Sequence, residues 1–169
     1  LNPNEIVLAI ANGVHRLLPF QRMTFALQDP DAGGFMIARF SDDAGADLTL
    51  KRERRADLAR TALGRAFQTR QDAFYGPSAS EGGEFEDLRT WRAESEVASL
   101  IVPLTSAGQA LGALHLGGSA QQAAALEALR PVIRRVANLT AVALQNARLF
   151  TQAVNLRPFN GTIFQSISA

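Results

Sequence analysis

The stretch ASLIVPLTSAGQALGALHLGG, residues 98–118, decides how the rest of the chain folds. It belongs to a longer segment between Glu96 and Glu127 that contains no Asp, Glu, Lys or Arg. Pro103, Gly108, Gly112, Gly117 and Gly118 interrupt it too often for a membrane span, which needs about 20 continuous apolar residues. It reads as two strands. Ala98 to Leu104 is rich in β-branched and Leu side chains, Ser106-Ala107-Gly108-Gln109 supplies a turn, and Ala110 to Leu116 returns antiparallel. A hairpin apolar on both faces must sit inside its sheet and be covered on both sides. An α+β architecture follows, with helices on one face of a central antiparallel sheet and other chain on the opposite face.

The remaining composition fits one ordinary domain with a real core. The chain has 169 residues, of which 47% are hydrophobic and 20% charged. A net charge of +1 gives no reason to expect nucleic acid or an anionic membrane as a partner. Cysteine is absent, which removes disulfides, thiolate metal sites, thiol nucleophiles and any cofactor held by a thioether bond. With neither a signal segment nor a spanning stretch, the chain reads as soluble and cytoplasmic. Its start at Leu1 suggests a piece of something longer.

Ahead of the hairpin, Asn2-Pro3-Asn4-Glu5 resembles a cap for a helix with Ile6, Ile10, Val14 and Leu17 on one face, ended by Pro19. Arg22 to Gln28 and Phe35 to Phe40 read as a second hairpin around a turn at 29–34, and Leu48 to Leu50 as a short strand. The charged run 51–55 has two readings, a solvated face at or before a short helix and an anion-binding patch; the helical spacing of Leu63 and Phe67 supports the first. Residues 72–95 form a Gly-, Ser- and Glu-rich segment that carries Phe74, Tyr75, Phe85 and Trp91. Large aromatics need a surface to lie on, since leaving one wet forfeits roughly 1.5 to 3 kcal/mol. They either line a ligand pocket beneath a lid of irregular chain or fill core.

From Ser119 to about Leu156 the periodicity is helical. Leu126, Leu129, Ile133, Val136, Thr140, Ala143, Ala147, Phe150 and Val154 alternate spacings of three and four, the seam of a coiled coil or bundle. Leu139, Val142, Leu144 and Leu149 lie off that seam, so one apolar face is expected to meet the sheet and the other a partner helix. Pro131 should kink the helix or mark a restart, and Pro158 should stop it.

Taken together, TALGRAFQT (61–69), ASLIVPL (98–104), ALGALHLGG (110–118) and AVALQNARLF (141–150), in this order behind an amphipathic first helix and a hairpin, resemble a GAF domain. The resemblance covers residues 3–153 and leaves 154–169 as a linker or the start of a following domain. It implies a five- or six-stranded antiparallel sheet with N- and C-terminal helices on one face and a loop-walled pocket on the other. It also implies a non-catalytic sensory module beside a signalling domain such as a histidine kinase, a homodimer through its terminal helices, and an unidentified small-molecule ligand. The candidate ligand-contacting residues are Phe40, Phe67, Phe74, Tyr75, Phe85, Trp91 and His115. The candidate dimer-interface residues are Ile133, Val136, Thr140, Ala143, Ala147, Phe150 and Val154.

The chain departs from the family's better-known ligand types. Without cysteine it cannot hold a bilin by a thioether, and the cyclic-nucleotide motif of phosphodiesterase GAF domains is not visible, so the cofactor is unknown. His115 alternates with Ala113 and Gly117 on the face opposite Leu114 and Leu116. It reads as a ligand contact or as a histidine satisfied by a loop carbonyl. With no second ligand at metal spacing, neither haem nor another metal is expected. His15 reads as a helix-packing or surface residue. No nucleophile elbow, P-loop, dinucleotide turn or His-Glu metal helix occurs, so an enzyme is not expected. Two further readings stand beside the sensor: a structural dimerisation spacer whose pocket is filled by Phe74, Tyr75, Phe85 and Trp91, and a nucleic-acid binder using Lys51 to Arg60.

Overall fold

The computed structural model describes residues 2–17, 20, 22–42, 48–78, 80 and 82–168, with side chains of the last helix through 155. Six strands form one antiparallel sheet: β1 (Arg22–Gln28), β2 (Phe35–Ser41), β3 (Thr49–Arg55), β4 (Ala73–Tyr75), β5 (Ala98–Ser106) and β6 (Gln109–Gly118). Their order across the sheet is β3-β2-β1-β6-β5-β4, which places the apolar hairpin β5–β6 inside it. Ala107 and Gly108 close that hairpin, both at positive φ (52° and 76°), the geometry of a two-residue turn that follows strand twist.

Alternation along the strands makes two cores. Met23, Phe25 and Leu27 of β1, Ala38 and Phe40 of β2, Leu100, Val102 and Leu104 of β5, and Leu114 and Leu116 of β6 bury one face. That face is covered by α1 (Pro3–Leu17) and by the long C-terminal helix α5 (Arg130–Ser168), joined to β6 through a 3-10 turn and α4 (Ala123–Ala128). The intervening residues, Ala26, Ile37, Ile101 and Ala113, face α2 (Ala62–Thr69) and α3 (Glu86–Ala93) instead. Each fully buried Phe or Leu in these layers is worth roughly 1.5 to 3 kcal/mol, so both faces stabilise the sheet.

Local chemistry sets the helix ends. Asn2 Oδ1 accepts from the Glu5 N–H at 2.9 Å while Asn2 Nδ2 donates to the Glu5 carboxylate at 2.8 Å, fixing the start of α1. Pro19 and residues 43–47 lie outside the described residues. Pro131 sits in the first turn of α5, where its missing N–H is harmless, so it marks a restart after α4.

Several expectations are corrected. The charged run 51–55 is part of edge strand β3, exposed along most of its length; a strand at the rim of a sheet can carry unbroken charge because neither face needs to be apolar. Residues 72–95 are less irregular than their composition suggests, since they contain β4 and α3. Pro158 does not end α5, which continues to Ser168 although that residue offers no N–H to the carbonyl one turn earlier. At 1.5 Å per residue α5 is about 58 Å long, against a radius of gyration of about 15 Å for a compact domain of this length.

The seam of α5 faces inward. Ile133 and Thr140 are wholly buried within the chain, and Val136, Ala143 and Ala147 pack partly buried against the same core. Of the seven candidate interface residues, Phe150 and Val154 are exposed. A three-four spacing shows that a helix buries a face without showing what covers it, and here the sheet and α1 cover it. The outward stripe is instead Val132, Leu139, Val142 and Leu149, which recurs at heptad spacing with Arg135, Asn146 and Ala153.

Candidate functional site

The face under α2 and α3 carries one row of polar residues across the sheet. Arg39 of β2, Thr24 of β1 and His115 of β6 are register neighbours, so all three project toward α3. α3 lays Trp91 flat on His115, ring centroids 3.7 Å apart and planes within 15°, and the Arg39 guanidinium sits 5.4 Å from the Trp91 ring. Just after α3 the chain turns back to the sheet through Glu94 and Glu96, and the Val97 N–H bonds the carbonyl of Gly118.

These carboxylates tie the end of α3 to the strands. Glu96 Oε2 accepts from Arg22 Nη1 at 3.1 Å and Arg39 Nη2 at 2.9 Å. Glu94 Oε2 meets the same two guanidinium atoms at 2.8 Å and 3.1 Å. Glu96 and His115 are wholly buried, with Oε1 2.8 Å from Nε2, in contact but without the alignment of a good hydrogen bond. Burial works to raise the Glu96 carboxyl, yet the charge of His115 and the nearby guanidinium groups outweigh it and hold the carboxyl below its ordinary value. Burial likewise pulls Arg39 below the usual guanidinium range, against the fields of Glu96 and Glu94. His115 Nδ1 lies 3.1 Å from the Thr24 hydroxyl, so neither ring nitrogen is open to an iron or other metal. A histidine ligated to haem does not fit this arrangement.

Gly117 makes the cluster possible. A Cβ there would stand 1.6 Å from Glu96 Oε1 and 2.3 Å from its carboxyl carbon, so the carboxylate occupies the space a side chain would fill. At the other end of α3, Asp87 is mostly buried and accepts from the N–H groups of Ala62 and Leu63 at 2.8 Å and 3.1 Å, occupying the N-terminus of α2. It also accepts from its neighbour Leu88 at 2.9 Å, so both ends of α3 are held by charge.

Between β2–β3 and α2–α3 lies a cavity of about 410 Å³. Its wall includes Ile37, Leu58, Leu63 and Trp91 as apolar surface, Thr24 and Arg39 from the polar row, and Lys51, Glu53 and Arg55 from the edge strand. A second cavity, of about 390 Å³, lies on the opposite face between the start of α1, the β1–β2 turn and α5, with Arg148 donating to the Gln28 carbonyl beside it.

The structure separates the candidate ligand residues. Trp91 lines the cavity and His115 lies immediately beneath Trp91. Phe67, Tyr75 and Phe85 pack in the same core layer, Phe67 edge-on to Phe35 and Tyr75 edge-on to Phe85, filling it rather than lining the opening. Phe40 and Phe74 face α1 and α5 on the other side of the sheet. His15, on α1, sits 3.2 Å from Asp42 and edge-on to Phe20, a packing role. Arg22, Thr24, Arg39, Glu94, Glu96 and Asp87 were not singled out by sequence. The available signal was the Gly117-Gly118 pair inside an apolar strand, which marks a close approach.

The model of the family described as GAF domain matches residues 1–145. This chain belongs to the GAF domain family. Solved structures share its fold at low identity. The GAF domain of a two-component sensor histidine kinase from Bacillus halodurans superposes with a TM-score of 0.62 at 15% identity, covering 88% of this chain and 97% of that one. A GAF domain/HD domain protein from Geobacter sulfurreducens gives 0.66 at 16%, covering 89% and 97%. A methyl-accepting chemotaxis protein fragment, residues 122 to 287, gives 0.61 at 15%, covering 88% and 92%. Among curated proteins none matches in sequence. The six-stranded antiparallel sheet and its helices are those of a GAF domain. Among the described residues no helix is long and apolar enough to cross a membrane.

Proposed function

We propose that this GAF domain is a non-catalytic sensory module of a cytoplasmic signalling protein. It binds a small molecule in the cavity beside Trp91 and self-associates through α5. The observation that carries the reading is the position of α3. This helix bounds the cavity and is tied to the middle of the sheet by the cluster of Arg22, Arg39, Glu94 and Glu96. A ligand that prefers one placement of α3 therefore biases the sheet on which α5 packs, by as much as its affinity differs between placements and no more. The structural neighbours from a sensor kinase and a chemotaxis protein support a signalling context. An output domain covalently joined to α5 would receive the change.

Self-association rests on the outward stripe Val132, Leu139, Val142 and Leu149, with Asn146 on the same stripe, where an amide enclosed between two helices sets register. The rival reading, a spacer with a self-filled pocket, draws on the packing of Tyr75, Phe85 and Trp91 into one core layer. A thermal-shift screen of metabolites and nucleotides separates the two. A ligand at 100 times its dissociation constant adds about 2.7 kcal/mol to stability, whereas a spacer gives no shift with any compound.

A further inference from the structure

The charges around the cavity do not cancel locally. Asp87 is engaged by the backbone N–H groups of Ala62, Leu63 and Leu88, and Glu86 pairs with Arg60 at 3.0 Å. Arg39 is held by Glu94 and Glu96. The remaining charges come from β3. Lys51, Glu53 and Arg55 are register partners of Arg39, Ile37 and Phe35, which puts all three on the cavity's face. None of the three forms an ion pair among the described residues, and the field of Glu53 acts on Arg39. The rim thus sets Lys51, Arg52 and Arg55 against the single carboxylate of Glu53, a cationic excess over a cavity whose inner wall is Ile37, Leu58, Leu63 and Trp91. A cleft with apolar walls and an excess of positive charge at its mouth concentrates anions.

Resting on the sensory reading above, we propose that the cavity accepts an amphipathic anion: a flat apolar body that lies against Trp91, carrying one acidic group that meets Lys51 and Arg55. A charged edge strand also resists pairing with other sheets, but that role is indifferent to the sign of the charge. A carboxylate, sulfonate or phosphate meets the same two cations, so the inference is to the shared chemistry.

Two dyes test this on the intact chain: anilinonaphthalene sulfonate and phenylnaphthylamine, the same arylamine without the sulfonate. Binding is read as quenching of Trp91, the sole tryptophan. The sulfonate dye should bind more tightly, and its binding should weaken with salt. Lys51→Glu, at an exposed position, with Arg55→Glu, at a half-buried one, should raise its Kd about tenfold or more while leaving the neutral dye within about twofold. Thr90→Phe, at the cavity's mouth, should abolish quenching by both. Equal binding of both dyes, or a sulfonate affinity unchanged by the charge reversal, overturns the anion inference and leaves a cavity that takes neutral molecules. If neither dye quenches Trp91, or Thr90→Phe changes nothing, the cavity is not a binding site, and the sensory reading falls with this one.

Discussion

Glu96 Oε1 stands 2.8 Å from His115 Nε2 with both side chains wholly excluded from solvent. Removing one member of a buried charged cluster leaves the others unpaired, which typically costs about 3 to 5 kcal/mol. Glu96→Ala is therefore expected to lower stability by about that amount in denaturant unfolding. A loss below about 1 kcal/mol would place the cluster in the class of surface ion pairs.

The same carboxyl sets an acid limb. Its folded pKa lies below the ordinary value of 4.5, so its contribution is complete above that value and disappears as pH falls through the lower folded value. The stability gap between the wild type and Glu96→Gln should close as the pH falls below about 5. Urea unfolding of both proteins from about pH 5 downward measures the gap; one that widens over that limb contradicts the assignment.

Gly117→Ala should behave as a variant of Glu96. The new methyl occupies the place of the carboxylate, and Glu96 cannot move aside without giving up Arg22, Arg39 and His115. In the double variant Gly117→Ala, Glu96→Ala the two losses should add to less than their sum, a coupling of about 1 kcal/mol or more. Strict additivity would show that Gly117 is needed for some other reason.

The outward stripe of α5 predicts the oligomeric state. Light scattering should find a dimer for the wild type and a monomer for Leu139→Glu or Leu149→Glu, with thermal stability of the domain core retained because neither side chain packs on the sheet. Ile133→Glu, by contrast, should unfold the chain, since Ile133 is part of the core. A wild-type monomer, or a Leu139→Glu dimer, removes α5 from the interface.

The fold was legible because its signals are local and redundant. The charge-free hairpin, the Ala107-Gly108 turn and the three-four spacing of α5 each limit the chain to one conformation, and they agree. The site was less legible. Trp91 and His115 stand out by type and by strand parity, but Arg22, Arg39 and Glu96 come together only through register across three strands and a return loop, with Arg22 and Glu96 separated by 74 positions. Periodicity also left open which apolar face of α5 meets the sheet, because Ile133 and Leu139 are equally apolar and differ in what lies opposite. Phe40 and Phe74 were drawn toward the pocket by residue type, and strand parity places them on the other side.

The central claim is that a molecule in the cavity beside Trp91 alters the packing of α5, and hydrogen exchange on the full chain tests it directly. With a compound that raises the melting temperature, amides in 49–55, 58–63 and 86–97 should gain protection, and exchange along 130–155 should change in the same experiment. Protection confined to the second cavity at 27–31 and 144–155, with the α3 segment unaffected, would contradict the account.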